Sequence, residues 1–268
     1  MSVDEGRVRR EAEFHDRWAR SIELDALPVL ESFEAATAVE NRRAYEHLSP
    51  VRGKRLLDLG CGAGESSVYF ALQGAEVVAS DVSPEMLRVA ERLAERRGVR
   101  LSTALAPAEK LPFPDAHFDL VFGNGVLHHV QLEPALREVR RVLKPGGKAA
   151  FVEPLSHNPL IGVYRALAKE TRTPDERPLR MSDMAAVRAL FPGAEHREFW
   201  LTSLYLFIHF FLFERLSPSR TRYWKRVLVE APRYERIFLP LKRLDDRILD
   251  AFPWLGRFCW NTVLMVVK

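Results

Sequence analysis

Three glycines alternate at Gly60, Gly62 and Gly64 inside LLDLGCGAGE, directly after an apolar run. A glycine turn that follows a strand lets the backbone approach a nucleotide closely, because no Cβ stands in the way. Two carboxylates accompany it. Asp58 precedes the turn, and Asp81 closes the next apolar run, AEVVASD. A carboxylate at the end of that second strand can accept hydrogen bonds from both hydroxyls of a ribose. His128 and His129 in GNGVLHHV follow a later apolar run, and imidazole is suited to moving protons near neutrality.

The glycine spacing excludes two common nucleotide sites. A dinucleotide fold needs G-x-G-x-x-G, and the third glycine position is Glu65. A phosphate loop needs Gly-Lys-Ser/Thr, and none follows. The histidines and cysteines lack the spacing of metal ligands, so no metal is expected.

These residues require elements that hold them at one edge of a sheet. From residue 53 the pattern alternates: KRLLDLG, AEVVASD, VRLSTALA, FDLVFGN and KAAFVEP read as strands, with ESSVYFALQG, SPEMLRVAERLAERRG and EPALREVRRVLKPGG as the helices among them. Ser83 caps the second helix with Pro84 in its first turn, and Gly98 ends it. Leu132, Leu136, Val139 and Leu143 give the third helix one apolar face. Such alternation predicts an α/β fold with a parallel sheet between helices. EHREFWLT and CWNTVLMVVK supply a sixth and a seventh strand. The domain reading is a helical segment over 1–50 with Phe14, Trp18, Ile22 and Leu24 as its apolar positions, a core over 51–153, a loop-like basic segment over 154–181, and a sheet end over 182–268. An aromatic insertion at about 203–256 interrupts that last part and is too long for a plain connection.

The 268 residues carry a formal charge of only +4, too mild to imply nucleic acid by itself. Cys61 and Cys259 lie far apart and read as free thiols in a reducing compartment. MSVDEGRVRREAEF lacks the apolar centre of a secretory signal, so a cytoplasmic location is expected. FWLTSLYLFIHFFLF, residues 199–213, would be roughly 22 Å long as a helix, short of a bilayer's roughly 30 Å. It reads as buried or interfacial.

LLDLGCGAG, VVASDVSPEML, APAEKLPFPDAHFDLVFGNGVLHHV and LREVRRVLKPGGKAAFVEP, taken in order over about residues 52–153, resemble the class I S-adenosylmethionine-dependent methyltransferases, in particular the small-molecule type similar to quinone-biosynthesis methyltransferases. The resemblance implies a doubly wound, Rossmann-like sheet of seven strands, the last antiparallel, with a helical cap. It implies S-adenosylmethionine as cofactor and contacts to it from Asp58, Gly60, Cys61, Gly62, Gly64, Asp81, Val82, Pro107, Ala108, Glu109 and Asn124. Asp81 would hold the ribose, Asn124 would approach the methionine end, and Pro107-Ala108 would lie against the adenine. Pro107 stands where the family often has Asp or Asn. GNGVLHHV replaces the Asn/Asp-Pro-Pro-Tyr/Phe sequence of enzymes that methylate base amino groups, so nucleic acid loses support as a substrate.

For an acceptor that must lose a proton, the candidate bases are His128 and His129. Glu153, at the end of the fifth strand, faces the same side and is expected to pair with Arg165 or Arg172. His157 and His209 belong to the cap. The aromatic cap favours a hydrophobic acceptor such as a quinone precursor, polyketide, terpenoid or lipid. Filling of the cap's own core, a homodimer interface, and peripheral membrane contact through 199–256 stay open beside it. A macromolecular acceptor and a non-catalytic, cofactor-binding scaffold are the alternative functions.

Overall fold

The computed structural model describes residues 3–168, 172–173 and 175–268. The apolar run RLLDL forms β1 (Arg55–Leu59) at the centre of a seven-stranded sheet. Around it lie β2 (Glu76–Asp81), β3 (Ser102–Leu105), β4 (Phe118–Asn124), β5 (Leu143–Pro154), β6 (Glu195–Phe199) and β7 (Asn261–Val267), in the order β3-β2-β1-β4-β5-β7-β6. The first five strands run parallel, and β7 is antiparallel to both β5 and β6. Both faces of the central strands are covered, which is why β1 reads as an almost continuous apolar run.

The crossover helices are α4 (Glu65–Leu72), α5 (Pro84–Arg96) and α6 (Leu132–Val142). The Ser83 hydroxyl caps α5 by accepting from Met86 N–H, with Pro84 in the first turn. α6 buries Ala135, Leu136, Val139 and Val142, while Leu143 already belongs to β5.

The 1–50 segment folds as α1 (Glu5–Ala19), α2 (Glu31–Glu34) and α3 (Val39–Leu48). Of its expected apolar positions, Trp18, Ile22 and Leu24 pack against the core. The deepest side chains of α1 include Arg7 and Glu11, whereas Phe14 and Trp18 are only partly covered. Arg7 and Glu11 can also turn inward because they meet charged partners across a cleft.

One further reading needs correction. The segment 154–181 is not simply loop: α7 (Pro159–Leu167) forms within it, capped by Asn158 Oδ1 accepting from Leu160 and Ile161 N–H. The apolar run 199–213 is divided, as the strand reading of EHREFWLT implies. It ends β6, passes a 3-10 turn (Thr202–Leu204) and only then forms α9 (Tyr205–Leu212). The cause lies on α11 (Ala231–Ala251), which follows α8 (Met184–Leu190), α9 and α10 (Tyr223–Val229) in the chain. Buried Asp245 of α11 accepts from the N–H groups of Leu201, Thr202 and Ser203 and from both hydroxyls, fixing a helix start there.

Phe207, Phe210, Tyr223, Tyr234 and Phe238 of the insertion are buried against one another and against Trp200, so these aromatics fill the cap's own core. Phe211, Leu212 and Phe213 remain exposed at the end of α9. Among the described residues no helix is long and apolar enough to cross a membrane.

The glycine turn shows how closely the core is fitted. Gly64 has φ +87° and begins α4; a Cβ there would stand 2.5 Å from Cβ of Ala90 on α5. At Gly62, φ +53°, a Cβ would meet nothing within 4 Å. Gly64→Ala is therefore expected to destabilise by about 3 kcal/mol, through backbone strain and overpacking together, and Gly62→Ala by about 1 kcal/mol through strain alone. Chemical denaturation of the two variants checks this; equal losses would contradict it.

Candidate functional site

A cleft of about 850 Å³ opens over the C-terminal ends of β1, β2, β4 and β5, where open α/β sheets bind ligands. α1 crosses one side of it, and Arg7, Glu11, Phe14, His15 and Trp18 line the wall. Of the sequence-marked residues, Asp58, Gly60, Cys61, Gly62, Asp81, Val82, Ala108, Glu109, Asn124, His128 and His129 line the same cleft. Gly64 and Pro107 do not. Gly64 serves the contact between α4 and α5, and a Cβ on Gly60 would come within 2.6 Å of Val126 Cγ2. Only Gly62 leaves its missing side chain as open space.

The two acids of the turn are held differently. Asp81 accepts from Gly62 N–H and Ser83 N–H, both at 2.9 Å, and so joins the glycine turn to the start of α5. Asp58 is fully buried and accepts from the Ser67 hydroxyl at 2.5 Å. Burial, with Asp81 and Glu65 adding repulsion against the Ser67 hydrogen bond, pushes its carboxyl up to about 7. Among the described residues neither acid has an ion-pair partner.

The histidines lie at the other end, on a 3-10 turn (Leu127–His129) after β4. Glu153, fully buried at the end of β5, accepts from Val126 N–H at 2.9 Å, Leu127 N–H at 2.7 Å and His128 Nδ1 at 2.8 Å. The expected pairing of Glu153 with Arg165 or Arg172 is wrong. Those arginines pair with Glu176, at 2.8 and 2.9 Å. Glu153 instead satisfies the backbone of the histidine turn, which a distant arginine could not do.

His129 Nδ1 lies 3.2 Å from Glu11 on α1. Burial works against its protonation, but Glu11 outweighs burial and the ring's pKa is raised; Glu11 is correspondingly lowered. His128 goes the other way: burial and the neighbouring His129 lower it against the pull of Glu153. Arg7 completes the tie from α1, donating to Glu109 and to the His129 carbonyl.

The sequence reading missed Arg7, Glu11, Glu40, Asn41 and Glu176. Residues 7, 11 and 15 do recur every four positions, so a polar face on α1 was legible as a helical stripe. Nothing in the sequence marked Glu40 or Glu176. The absence of metal-ligand spacing was also an incomplete guide, since folding brings His128, His129 and Glu176 within 4.8 Å of one another. Two arginines already neutralise Glu176, which makes the trio an ion-pair network first.

The chain matches, over residues 57–151, the family model described as a methyltransferase domain. Its relatives include the demethylmenaquinone methyltransferase of Thermus thermophilus, 41% identical over 115 residues, which are 42% of this chain and 52% of that protein. The ubiquinone/menaquinone biosynthesis C-methyltransferase UbiE of Cupriavidus metallidurans is 40% identical over 105 residues, 38% of this chain and 43% of the relative. The chain thus spans about half the length of the curated relatives it matches. A Thermotoga maritima structure described as a methyltransferase, possible histamine N-methyltransferase, shares the fold with TM-score 0.57 and 17% identity, over 96% of this chain and 99% of that one. The cyclase SpnF shares it too, with TM-score 0.54 and 22% identity over 85% and 78% of the two chains.

S-adenosylmethionine is the cofactor that belongs to such a domain, and the site fits it. The cofactor carries a sulfonium, an ammonium and two ribose hydroxyls; Asp58 and Asp81 offer carboxylates without a protein cation, beside a glycine whose Cβ would occupy the cleft.

The Asp58 carboxyl yields a stability test. Its pKa is raised from 3.8 in the unfolded chain to about 7. The folded state therefore binds the extra proton, and stability falls as pH rises through that window, the reverse of an ion-paired acid. Asp58→Asn should flatten this slope and be more stable above pH 7 by on the order of a few kcal/mol. Urea unfolding near pH 5 and pH 8 measures it; a slope equal to that of the parent chain would refute the assignment.

Proposed function

We propose that this chain transfers a methyl group from S-adenosylmethionine to a hydrophobic small molecule, a quinone precursor or a similar polyketide, terpenoid or lipid-like acceptor. One observation carries the reading: a single cleft has cation-free carboxylates at the glycine turn and aromatic side chains, Tyr164, Trp200 and Trp260, along another part of its wall. The names of the demethylmenaquinone and ubiquinone/menaquinone relatives support a quinone-like acceptor.

When bound, the cofactor supplies an electrophilic methyl group on its sulfonium. The chain supplies orientation and proton handling. Asp81 accepts from the ribose hydroxyls, Asp58 faces the ammonium, Ala108 and Glu109 border the adenine, and Asn124 stands at the methionine end. His128, oriented through Nδ1 by Glu153, leaves Nε2 as a nitrogen that can take a proton from an acceptor, whereas Glu11 holds His129 toward its charged form. The Arg7–Glu109 and Glu11–His129 ties hold α1 across the cleft and limit water there.

Incubation with methyl-labelled S-adenosylmethionine and a cell extract, followed by partition, tests the function. Label is expected in the organic phase. Label in precipitated macromolecules would favour a macromolecular acceptor, and binding without transfer into any fraction would favour a scaffold. Asp81→Ala should weaken S-adenosylhomocysteine binding at least about tenfold, consistent with loss of two charge-assisted hydrogen bonds; an unchanged affinity in calorimetry would remove the ribose assignment.

A further inference from the structure

The cleft has another acid, remote from the histidines. Glu40, on α3, is more than nine-tenths buried yet lies on the cleft wall with Asn41, Asn124, Trp200, Trp260 and Asn261. Asn261 Nδ2 donates to its Oε1 at 2.7 Å. The adjacent Asn41 accepts from Asn124 Nδ2 at 3.0 Å, which ties this part of α3 to the C-terminal end of β4. Glu40 has no ion-pair partner among the described residues, in contrast to Glu11, Glu109 and Glu176. Trp200 Nε1–H, buried on the same wall, leans toward this carboxylate but completes no hydrogen bond.

We propose that Glu40 is the proton acceptor for an acidic O–H group on a flat aromatic or enolic acceptor seated against Trp200 and Trp260. This rests on the methyl-transfer reading. A carboxylate with one amide donor and no cation, beside an indole N–H that completes no hydrogen bond, selects the ligand chemistry. A hydroxyl can give its hydrogen to Glu40, and its oxygen can receive the Trp200 N–H. An ammonium could satisfy the carboxylate but offers nothing to the indole. In the step, the O–H bond breaks, the proton goes to a Glu40 carboxylate oxygen, and the electron pair stays on the acceptor as a delocalised oxyanion. The proton returns to water when the product leaves.

Burial pushes the Glu40 carboxyl up to about 7, against the Asn261 hydrogen bond, its own backbone N–H, the nearby Trp200 indole and a weaker pull from Arg42. That is where a base is effective at neutral pH. Arg42 lies on the same helix and donates to the Ala36 carbonyl. The elements opposite contribute Asn261 and Trp200, neither of which titrates in this range. His129, by contrast, is held toward its charged form by Glu11, which makes it the poorer base.

The test uses 2-naphthol as probe and the full chain without cofactor, followed by calorimetry. Affinity of the parent chain should rise about tenfold between about pH 6 and pH 8, as the carboxylate forms. Glu40→Gln should bind the probe with no such dependence, Glu40→Asp should retain it, and both should bind S-adenosylhomocysteine as the parent does. In label transfer, Glu40→Gln should lose at least about 100-fold in kcat, within the usual range for a lost general base. Absence of probe binding to the parent chain, or a pH dependence that survives in Glu40→Gln, overturns the proposal. Because probe binding is read without the cofactor, a chain that fails to transfer methyl groups but shows the Glu40-dependent profile would count against the methyl-transfer reading and not against this subsite.

Discussion

A carboxylate taken out of water at the end of a strand has to be met by donors, and that requirement shapes most of this cleft. Glu153 is met by three backbone N–H groups and the His128 ring, which folds the histidine turn over the end of β5. Asp81 is met by Gly62 and Ser83, which draws the glycine turn and the start of α5 together. Asp58 and Glu40 have fewer donors, a single Ser67 hydroxyl and a single Asn261 amide among their side-chain partners, and both are pushed up to about 7. The well-met acids build the walls. The poorly met ones are where a ligand has most to offer.

The same physics fastens the outer layers. Asp245 gathers the N–H groups at Leu201, Thr202 and Ser203 and thereby divides an apolar run into a strand end and a helix. α1 is attached through its charged face, by Arg7 to Glu109 and Glu11 to His129 and Thr173, with Asp16 reaching the Ser83 hydroxyl.

Shared fold alone does not decide the reaction, as the likeness to both a methyltransferase and a cyclase makes plain. The chemistry resides in which acids and aromatics the cap and α3 bring over a common sheet. The cleft wall combines Tyr164, Trp200 and Trp260 with Glu40, and these come from four separate stretches of chain.

The sequence by itself determined the sheet, the glycine turn and the positions of Asp58 and Asp81, because strand runs, crossover helices and their caps are written in short-range periodicity. It also placed His128 and His129 on a turn after β4, since that turn directly follows an apolar run. It did not show that Gly60 and Gly64 are required by Val126 and Ala90, because those neighbours arrive from other elements. Nor did it pair Glu153 with the histidine turn, give α1 a charged inner face against Glu109, or place Glu40 beside Asn261, a partner 221 residues away. Only the tertiary structure decided those, because the protonation and partners of a buried acid depend on which distant donors the packing delivers to it.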